Sequence, residues 1–106
     1  MNWIILEDYI QIQKALLQAE PFLVFKHSTR CSISSMVKHR FERAFDYNNV
    51  QSYFLDLIKY RSISNQLAVD FNVEHQSPQI LLIKNGNCIY HASHNAIDAY
   101  AIKSKI

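Results

Sequence analysis

A short run of consecutive apolar residues limits the folds open to this chain more than any other feature. The four residues from Phe22 to Phe25 are all apolar, and the run ends at Lys26 and His27. A strand with one face in water alternates apolar and polar residues, whereas a strand covered on both faces does not. The run therefore predicts a central strand in a sheet with helices on both faces.

The residues that follow this strand complete a strand-helix-strand unit. After the polar turn Ser28-Thr29-Arg30, apolar residues recur at the spacing of a core-facing helix, at Ile33, Met36, Val37, Phe41, Ala44 and Phe45. The segment from Val50 to Leu57 supplies a second strand. Because such crossovers are right-handed and return in the same direction, the two strands are expected to pair in parallel.

Further elements are predicted on both sides of this unit. Upstream lies an amphipathic helix from Leu6 to about Glu20, ended by Pro21. Downstream come a helix capped by Ser62 or Ser64 that carries Ile63, Leu67 and Phe71, a strand Gln79–Lys84 opened by Pro78, an Asn85-Gly86 turn, a strand Cys88–Ala92 and a helix from Asn95 to Lys105. This order is typical of a thioredoxin fold.

We therefore predict an α/β protein with a single thioredoxin-like domain over residues 1–106. Its central four-stranded mixed sheet would be flanked by helices, with an extra helix at the amino terminus. A chain of 106 residues is long enough for one hydrophobic core and too short for two.

Composition excludes several classes of function. The longest apolar runs are far shorter than the roughly 20 residues of a membrane span, and Met1 to Leu6 do not form a secretory signal, so we expect a cytoplasmic protein without membrane contact. The formal net charge is +2 without a basic cluster, which argues against nucleic acid as a partner. Nothing in the sequence indicates an oligomeric state.

Chemistry points to one of the two cysteines. Cys31 lies where the polar turn enters the second helix, so its sulfur is expected to face unpaired backbone N–H groups and the positive end of the helix dipole. Lys26, His27 and Arg30 add positive charge nearby, and such surroundings favour the nucleophilic thiolate. Cys31 is therefore the predicted catalytic residue.

The spacing after Cys31 indicates how a disulfide on it would be released. Dithiol oxidoreductases carry a second cysteine three positions on, whereas this chain has Ser34 there. A mixed disulfide on Cys31 must then be released by a second thiol molecule, which is monothiol chemistry.

In a thioredoxin fold the proline that opens the third main strand faces the nucleophile, so the similarity to that fold implies that the Pro78 segment faces Cys31. Pro78 opens its strand, and a cis Ser77-Pro78 bond would leave the backbone groups of Ser77 free to pair with an extended substrate. His75 precedes this loop and could assist the thiol or bind an anion, unless it is simply a solvated loop histidine.

Cys88 has a weaker claim to function. It follows the Asn85-Gly86 turn on a strand that packs against the core, so a buried structural thiol is favoured over a resolving partner. Cys88, His91 and His94 could imitate a metal site, but they share no obvious direction, and we predict no metal ligands.

Several segments together resemble the YtxJ family of redox proteins of the bacillithiol system, also called monothiol bacilliredoxins. They are Phe25-Lys26-His27-Ser28-Thr29-Arg30-Cys31-Ser32-Ile33-Ser34, Ser64-Asn65, His75-Gln76-Ser77-Pro78-Gln79 and His91-Ala92-Ser93-His94. The resemblance covers the chain from Phe22 to its end. It departs from the family pattern at Ser32 and Ser62, where that pattern has proline.

The resemblance implies that Cys31 removes bacillithiol from S-thiolated proteins through a mixed disulfide. Bacillithiol or a similar low-molecular-weight thiol would be the co-substrate, and no cofactor would be tightly bound. The residues that we assign to substrate binding are Lys26, His27, Thr29, Arg30, Ser34, His75, Ser77 and Pro78. Because bacillithiol carries two malate carboxylates, Lys26, Arg30 and His75 are predicted to contact them.

Two other classes of function remain open from the sequence. A thioredoxin-fold adaptor could capture partners without turnover, because the missing second cysteine permits that as well. A metal-binding protein could use Cys88, His91 and His94, with Cys31 or His27 as a further ligand.

Overall fold

The computed structural model describes residues 1–46 and 49–106. Within these residues the strands are β1 (Trp3–Ile5), β2 (Phe22–His27), β3 (Gln51–Asp56), β4 (Gln79–Lys84) and β5 (Asn87–Ser93). The helices are α1 (Ile10–Ala15), α2 (Ser32–Ala44), α3 (Arg61–Asp70) and α4 (Ala99–Lys103), with a short 3-10 helix at His94–Ala96.

The described strands form one mixed sheet in the order β1-β3-β2-β4-β5. β3 pairs in parallel with both β1 and β2, whereas β4 is antiparallel to both β2 and β5. The predicted α/β class, the parallel strand-helix-strand unit and the hairpin of the last two strands are confirmed. The predicted number of four strands is wrong, because the described chain has five.

The additional strand is β1, which three residues form along the outer edge of β3. The ring of Trp3 packs against Phe25 and Phe54, with centroid distances of 5.8 and 6.0 Å. Its indole N–H donates a hydrogen bond of 2.6 Å to Glu42 on α2. Three residues carry no periodic signal by themselves, so β1 exists because β3 and α2 hold it in place.

β2 separates two hydrophobic cores, one on each face of the sheet. Phe22 and Val24 pack in the core with α1 and α3, and Leu23 and Phe25 pack in the core with α2 and α4. All six residues of β2 are buried, including Lys26 and His27 at its end. The prediction of a strand covered on both faces is confirmed, and the strand is two residues longer than the apolar run.

The helices are shorter than their apolar patterns predict. α1 spans six residues instead of the segment from Leu6 to Glu20, and Leu17 beyond its end is 88% exposed. On α2 the inward positions are Ser34, Val37 and Phe41, and the predicted core residues Ile33 and Met36 are exposed. An inward stripe on a helix is narrow, so apolar residues that flank it remain in water.

The carboxy-terminal helix is also divided. The predicted helix from Asn95 to Lys105 is a 3-10 helix followed by α4, which begins after Asp98. The Asp98 side chain caps α4 by accepting a 3.0 Å hydrogen bond from the Tyr100 N–H. Ile102 is buried on this helix, whereas Tyr100 is exposed.

The turn between β4 and β5 has the predicted geometry. Asn85 and Gly86 both have positive φ, at 54° and 80°. A primed turn needs positive φ at both central residues, and asparagine and glycine adopt it at the lowest cost. The register of β4 and β5 shifts between Leu82 and Ile83, which pair with Tyr90 and Cys88, so the strand carries an irregularity at Ile89.

The packing of β1 predicts that Trp3→Ala destabilises the fold. The substitution removes the hydrogen bond to Glu42 and the ring contacts with Phe25 and Phe54, so we expect a loss of about 2 to 4 kcal/mol in the free energy of unfolding. Urea denaturation measures this loss. Ile5→Ala on the same strand is the control, because Ile5 is 54% exposed; equal losses in the two variants would contradict the role of Trp3.

Candidate thiol site

Cys31 occupies the residue that immediately precedes α2. Its backbone is extended, with φ −110° and ψ 117°, and its carbonyl accepts the Ser35 N–H at 3.2 Å. The Cys31 N–H donates to the Ser28 carbonyl at 3.2 Å, which closes the turn before the helix. The thiol is free and half-buried. The predicted place of Cys31 at the start of the second helix is thereby confirmed, beside the unpaired N–H groups of the first turn.

Ser34 and His27 form a buried hydrogen bond behind this turn. The Ser34 hydroxyl lies 2.7 Å from His27 Nδ1, and its oxygen accepts the Ser28 N–H at 3.2 Å. Burial and the positive charge of Lys38 lower the pKa of His27, and they outweigh the opposite effect of Asp56 and Glu42. His27 is therefore neutral near pH 7, and its Nδ1 can accept a hydrogen bond from the Ser34 hydroxyl.

Lys26 belongs to a second polar cluster, on the opposite face of β2. Its ammonium is fully buried and donates to the Ser64 carbonyl at 3.2 Å, and it lies 3.4 Å from His75 Nδ1. The Ser64 hydroxyl is 3.1 Å from the same ring nitrogen. Over residues 1–46 and 49–106, no carboxylate forms an ion pair with Lys26. We call Lys26, Ser64 and His75 the lysine cluster.

Electrostatics in the lysine cluster follow from this burial. Burial lowers the pKa of Lys26 to about 8. The pKa of His75 is also lowered, first by burial and then by the positive charges of Lys26 and Arg61. The ring of His75 is therefore neutral near pH 7, and its Nδ1 can accept a hydrogen bond from Lys26 or Ser64.

The residues assigned to substrate binding do not all lie on one surface. Thr29 and Arg30 are exposed in the turn before Cys31, whereas Ser34 and His27 are buried beneath it. Lys26 faces α3, because successive side chains of a strand point to opposite faces. Nothing in the structure tests the binding roles themselves, which remain predictions.

The Ser77-Pro78 segment lies beside the end of β2. Gln79 pairs with Lys26, which places Pro78 one position further along, next to the last residue of β2. The peptide bond between Ser77 and Pro78 is cis, and the Pro78 carbonyl accepts the His94 N–H at 2.9 Å. The turn that carries Cys31 and the Ser77-Pro78 segment therefore extend from the same end of the sheet.

The sequence analysis gave Ser64 only a possible capping role, shared with Ser62, and this prediction is wrong because α3 begins at Arg61, so both serines lie within the helix. Ser64 is 1% exposed on α3, between the buried residues Ile63 and Leu67. A polar residue on the inward face of a helix needs a buried hydrogen-bond partner. The place of Ser64 on the face that carries Ile63 and Leu67 was therefore the sequence signal that could have identified it.

Cys88, His91 and His94 do not converge. Cys88 packs against the core on the α1 and α3 face, and its thiol donates to the Tyr90 carbonyl at 3.3 Å. Burial raises the pKa of Cys88. His91 and His94 are exposed, and the described ranges hold no group of three or more residues arranged to bind a metal ion. No described helix has the length and apolar character of a membrane span.

The lysine cluster predicts a pH-dependent effect of Lys26→Met. Lys26 titrates near 10.5 in the unfolded chain and near 8 in the folded protein, so between these values the unfolded state binds more protons. Wild-type stability gains from Lys26 as the pH rises through this range, and this gain is lost as the pH falls to about 8. We therefore subtract the free energy of unfolding of the wild type from that of Lys26→Met. This difference should be larger at neutral pH than above pH 10.5, by roughly 2 to 4 kcal/mol.

Denaturant unfolding at several pH values measures this difference. Lys14→Met on α1 is the matched control, because Lys14 is exposed whereas Lys26 is buried. A difference that is the same at every pH for Lys26→Met would show that folding does not change the pKa of Lys26.

Solved structures with a similar fold are thioredoxins and related oxidoreductases. A protein described as a candidate oxidoreductase with a thioredoxin fold matches with a TM-score of 0.85 and 26% identity, over 95% of this chain and 90% of its own. Malassezia sympodialis thioredoxin matches with a TM-score of 0.72 and 18% identity, over 98% and 87%. Thioredoxin from Trypanosoma brucei brucei matches with 0.73 and 11%, over 98% and 87%. The predicted thioredoxin-like fold is confirmed.

A protein-family comparison identifies the branch of this fold. The model of the family described as monothiol bacilliredoxin BrxC matches residues 5–102. This match includes the Cys31 turn, the lysine cluster and the Ser77-Pro78 segment, and it confirms the resemblance found in the sequence. With a thiol redox role and a thioredoxin-like fold, the chain belongs to the monothiol bacilliredoxin BrxC family.

Proposed function

We propose that this protein removes bacillithiol from S-thiolated proteins by thiol-disulfide exchange at Cys31. The observation that carries the proposal is a free, half-buried cysteine at the start of α2 with Ser34 in place of a second cysteine. The family match supports bacillithiol as the small thiol.

The exchange takes place in two balanced steps. The Cys31 thiolate attacks the bacillithiol sulfur of the mixed disulfide, and the cysteine of the substrate protein leaves as a thiolate that takes up a proton. A second low-molecular-weight thiol then attacks the same bacillithiol sulfur, forming a small-molecule disulfide and returning Cys31 as a thiol. Both electrons needed to reduce the substrate protein thus come from low-molecular-weight thiols.

The release step requires an external thiol because neither Ser34 nor Cys88 can resolve the intermediate. Ser34 carries a hydroxyl that is buried against His27. Cys88 lies on β5, packs against the other face of the sheet from α2, and has its pKa raised by burial. A thiol with a raised pKa is a poor nucleophile near neutral pH.

Contacts with the substrate are assigned by exposure. The Arg30 side chain is exposed in the turn next to Cys31, so it can reach the malate carboxylates of bacillithiol directly. Lys26 is fully buried, so contact between its ammonium and a ligand requires the lysine cluster to open. The backbone of Ser77, which lies at the same end of the sheet as the Cys31 turn, is the proposed pairing site for an extended substrate segment.

The second candidate is an adaptor that captures partners without turnover. It is supported by Ile33 and Met36, which are 49% and 54% exposed on the first turns of α2. Exposed apolar side chains beside a thiol could hold a partner protein without chemistry. Partner capture that persists in Cys31→Ala, with no transfer in wild type, would favour the adaptor.

Transfer of bacillithiol to Cys31 is tested first. Wild type, Cys31→Ser and Cys88→Ser are incubated with a protein that carries a bacillithiol mixed disulfide, and intact masses of both partners are followed over time. We expect the adduct to move to wild type and to the matched control Cys88→Ser, with complete loss in Cys31→Ser. Retention of the adduct on the substrate protein in all three reactions would refute the proposed activity.

The role of Arg30 is tested by removing its charge. Arg30→Gln should raise the KM for a bacillithiolated peptide about two- to fivefold, which is the effect of losing an exposed ion pair. Alkylation by iodoacetamide, which is uncharged, should change less. Arg43→Gln, at the exposed end of α2, serves as the control. Equal KM values for the two arginine variants would exclude Arg30 as the carboxylate contact.

A further inference from the structure

Ser34 is the one polar residue on the inward stripe of α2. It is 0% exposed, and the next inward positions are the buried residues Val37 and Phe41. Burial of a hydroxyl without hydrogen bonds is unfavourable. The hydrogen bonds of the Ser34 hydroxyl therefore explain why a serine is tolerated at this buried position.

The Ser34 hydroxyl joins three parts of the chain. It can donate a hydrogen bond of 2.7 Å to Nδ1 of His27, which is the last residue of β2. Its oxygen accepts the Ser28 N–H at 3.2 Å, at the start of the turn. The hydroxyl therefore ties the first turn of α2 both to the sheet and to the loop that leads to Cys31.

The same loop is tied directly to Cys31. The Ser28 carbonyl accepts the Cys31 N–H at 3.2 Å, so Ser28 is held by Ser34 through its N–H and by Cys31 through its carbonyl. The backbone that carries the sulfur is thereby fixed relative to the helix start. Without the Ser34 hydroxyl, the Ser28 N–H loses its partner and the turn can move.

His27, at the other end of this connection, is buried and held within the sheet. The His27 carbonyl accepts the Leu57 N–H at 3.0 Å, and its ring packs against Phe54 with centroids 5.3 Å apart. His27 is 6% exposed. A hydrogen bond from Ser34 to this ring therefore connects the turn to β2, the central strand of the sheet.

We propose that Ser34 is a positioning residue, which acts through His27 and Ser28 to hold Cys31 at the start of α2. Its hydroxyl occupies the sequence position of the second cysteine of a dithiol protein and has a structural use there. The inference rests on the proposed function as far as bacillithiol transfer is concerned. The effect of Ser34 on the intrinsic reactivity of Cys31 does not depend on bacillithiol.

Alkylation of Cys31 by iodoacetamide at neutral pH tests the proposal without bacillithiol. The assay uses the Cys88→Ser background, so that only Cys31 reacts. Ser34→Ala should slow the reaction about three- to tenfold, which corresponds to the loss of one or two buried hydrogen bonds. Ser35→Ala, one residue along α2, is the matched control and should react at the parent rate.

Conservative variants separate positioning from general damage to the fold. Ser34→Thr keeps the hydroxyl and His27→Asn keeps an acceptor near the position of Nδ1, so at least one of them should restore most of the rate. His27→Phe removes the acceptor and should slow alkylation. If the two residues act through one bond, the double variant Ser34→Ala/His27→Phe should be little slower than either single variant.

Three results would overturn the inference. They are a parent rate for Ser34→Ala, equal slowing in Ser35→Ala, and independent, multiplying effects of the Ser34 and His27 substitutions. Bacillithiol transfer by the wild type is measured in parallel. If wild type transfers no bacillithiol but Ser34→Ala still slows alkylation, the proposed function fails and the positioning role stands.

Discussion

The pairing of β2 with both of its neighbours, under cover on both faces, is the constraint on which the rest of the structure depends. β3 and β4 satisfy its backbone groups along both edges, and the two cores cover Phe22 to Phe25 from opposite sides. Because an unpaired backbone group in such a place is costly, the strand cannot shift in register without exposing both cores. The pairing of β2 therefore fixes the position of the turn that follows it, which carries Cys31.

The end of β2 departs from the apolar character of the strand, and the polar chemistry of the protein is concentrated there. Lys26 and His27 remain buried, and each one is paired with a serine, Ser64 on α3 or Ser34 on α2. Burial of these side chains lowers the pKa of both, which favours their neutral forms. Their hydrogen bonds compensate part of that cost and connect both flanking helices to the sheet.

A large part of this arrangement could be predicted from the sequence. An uninterrupted apolar run, a helical repeat and a second strand define the parallel unit, and Asn85-Gly86 defines the hairpin turn. The place of Cys31 at the helix start follows from the polar turn before it, and Ser34 three residues later follows from counting. These features are local, so physical preferences over a few residues determine them. The family resemblance rests on several such segments, and the family match over residues 5–102 confirmed it.

The sequence by itself determined the fold class, the strand-helix-strand order and the cysteine at the helix start, because these depend on neighbours along the chain. The tertiary structure alone decided that Trp3–Ile5 form a fifth strand, since their hydrogen-bond partners lie about fifty residues away on β3. It also decided that Ser64 is the hydrogen-bond partner of Lys26 and that Ser34 is the partner of His27. Strand direction, helix packing and long-range hydrogen bonds set these contacts, and spacing along the chain does not encode them.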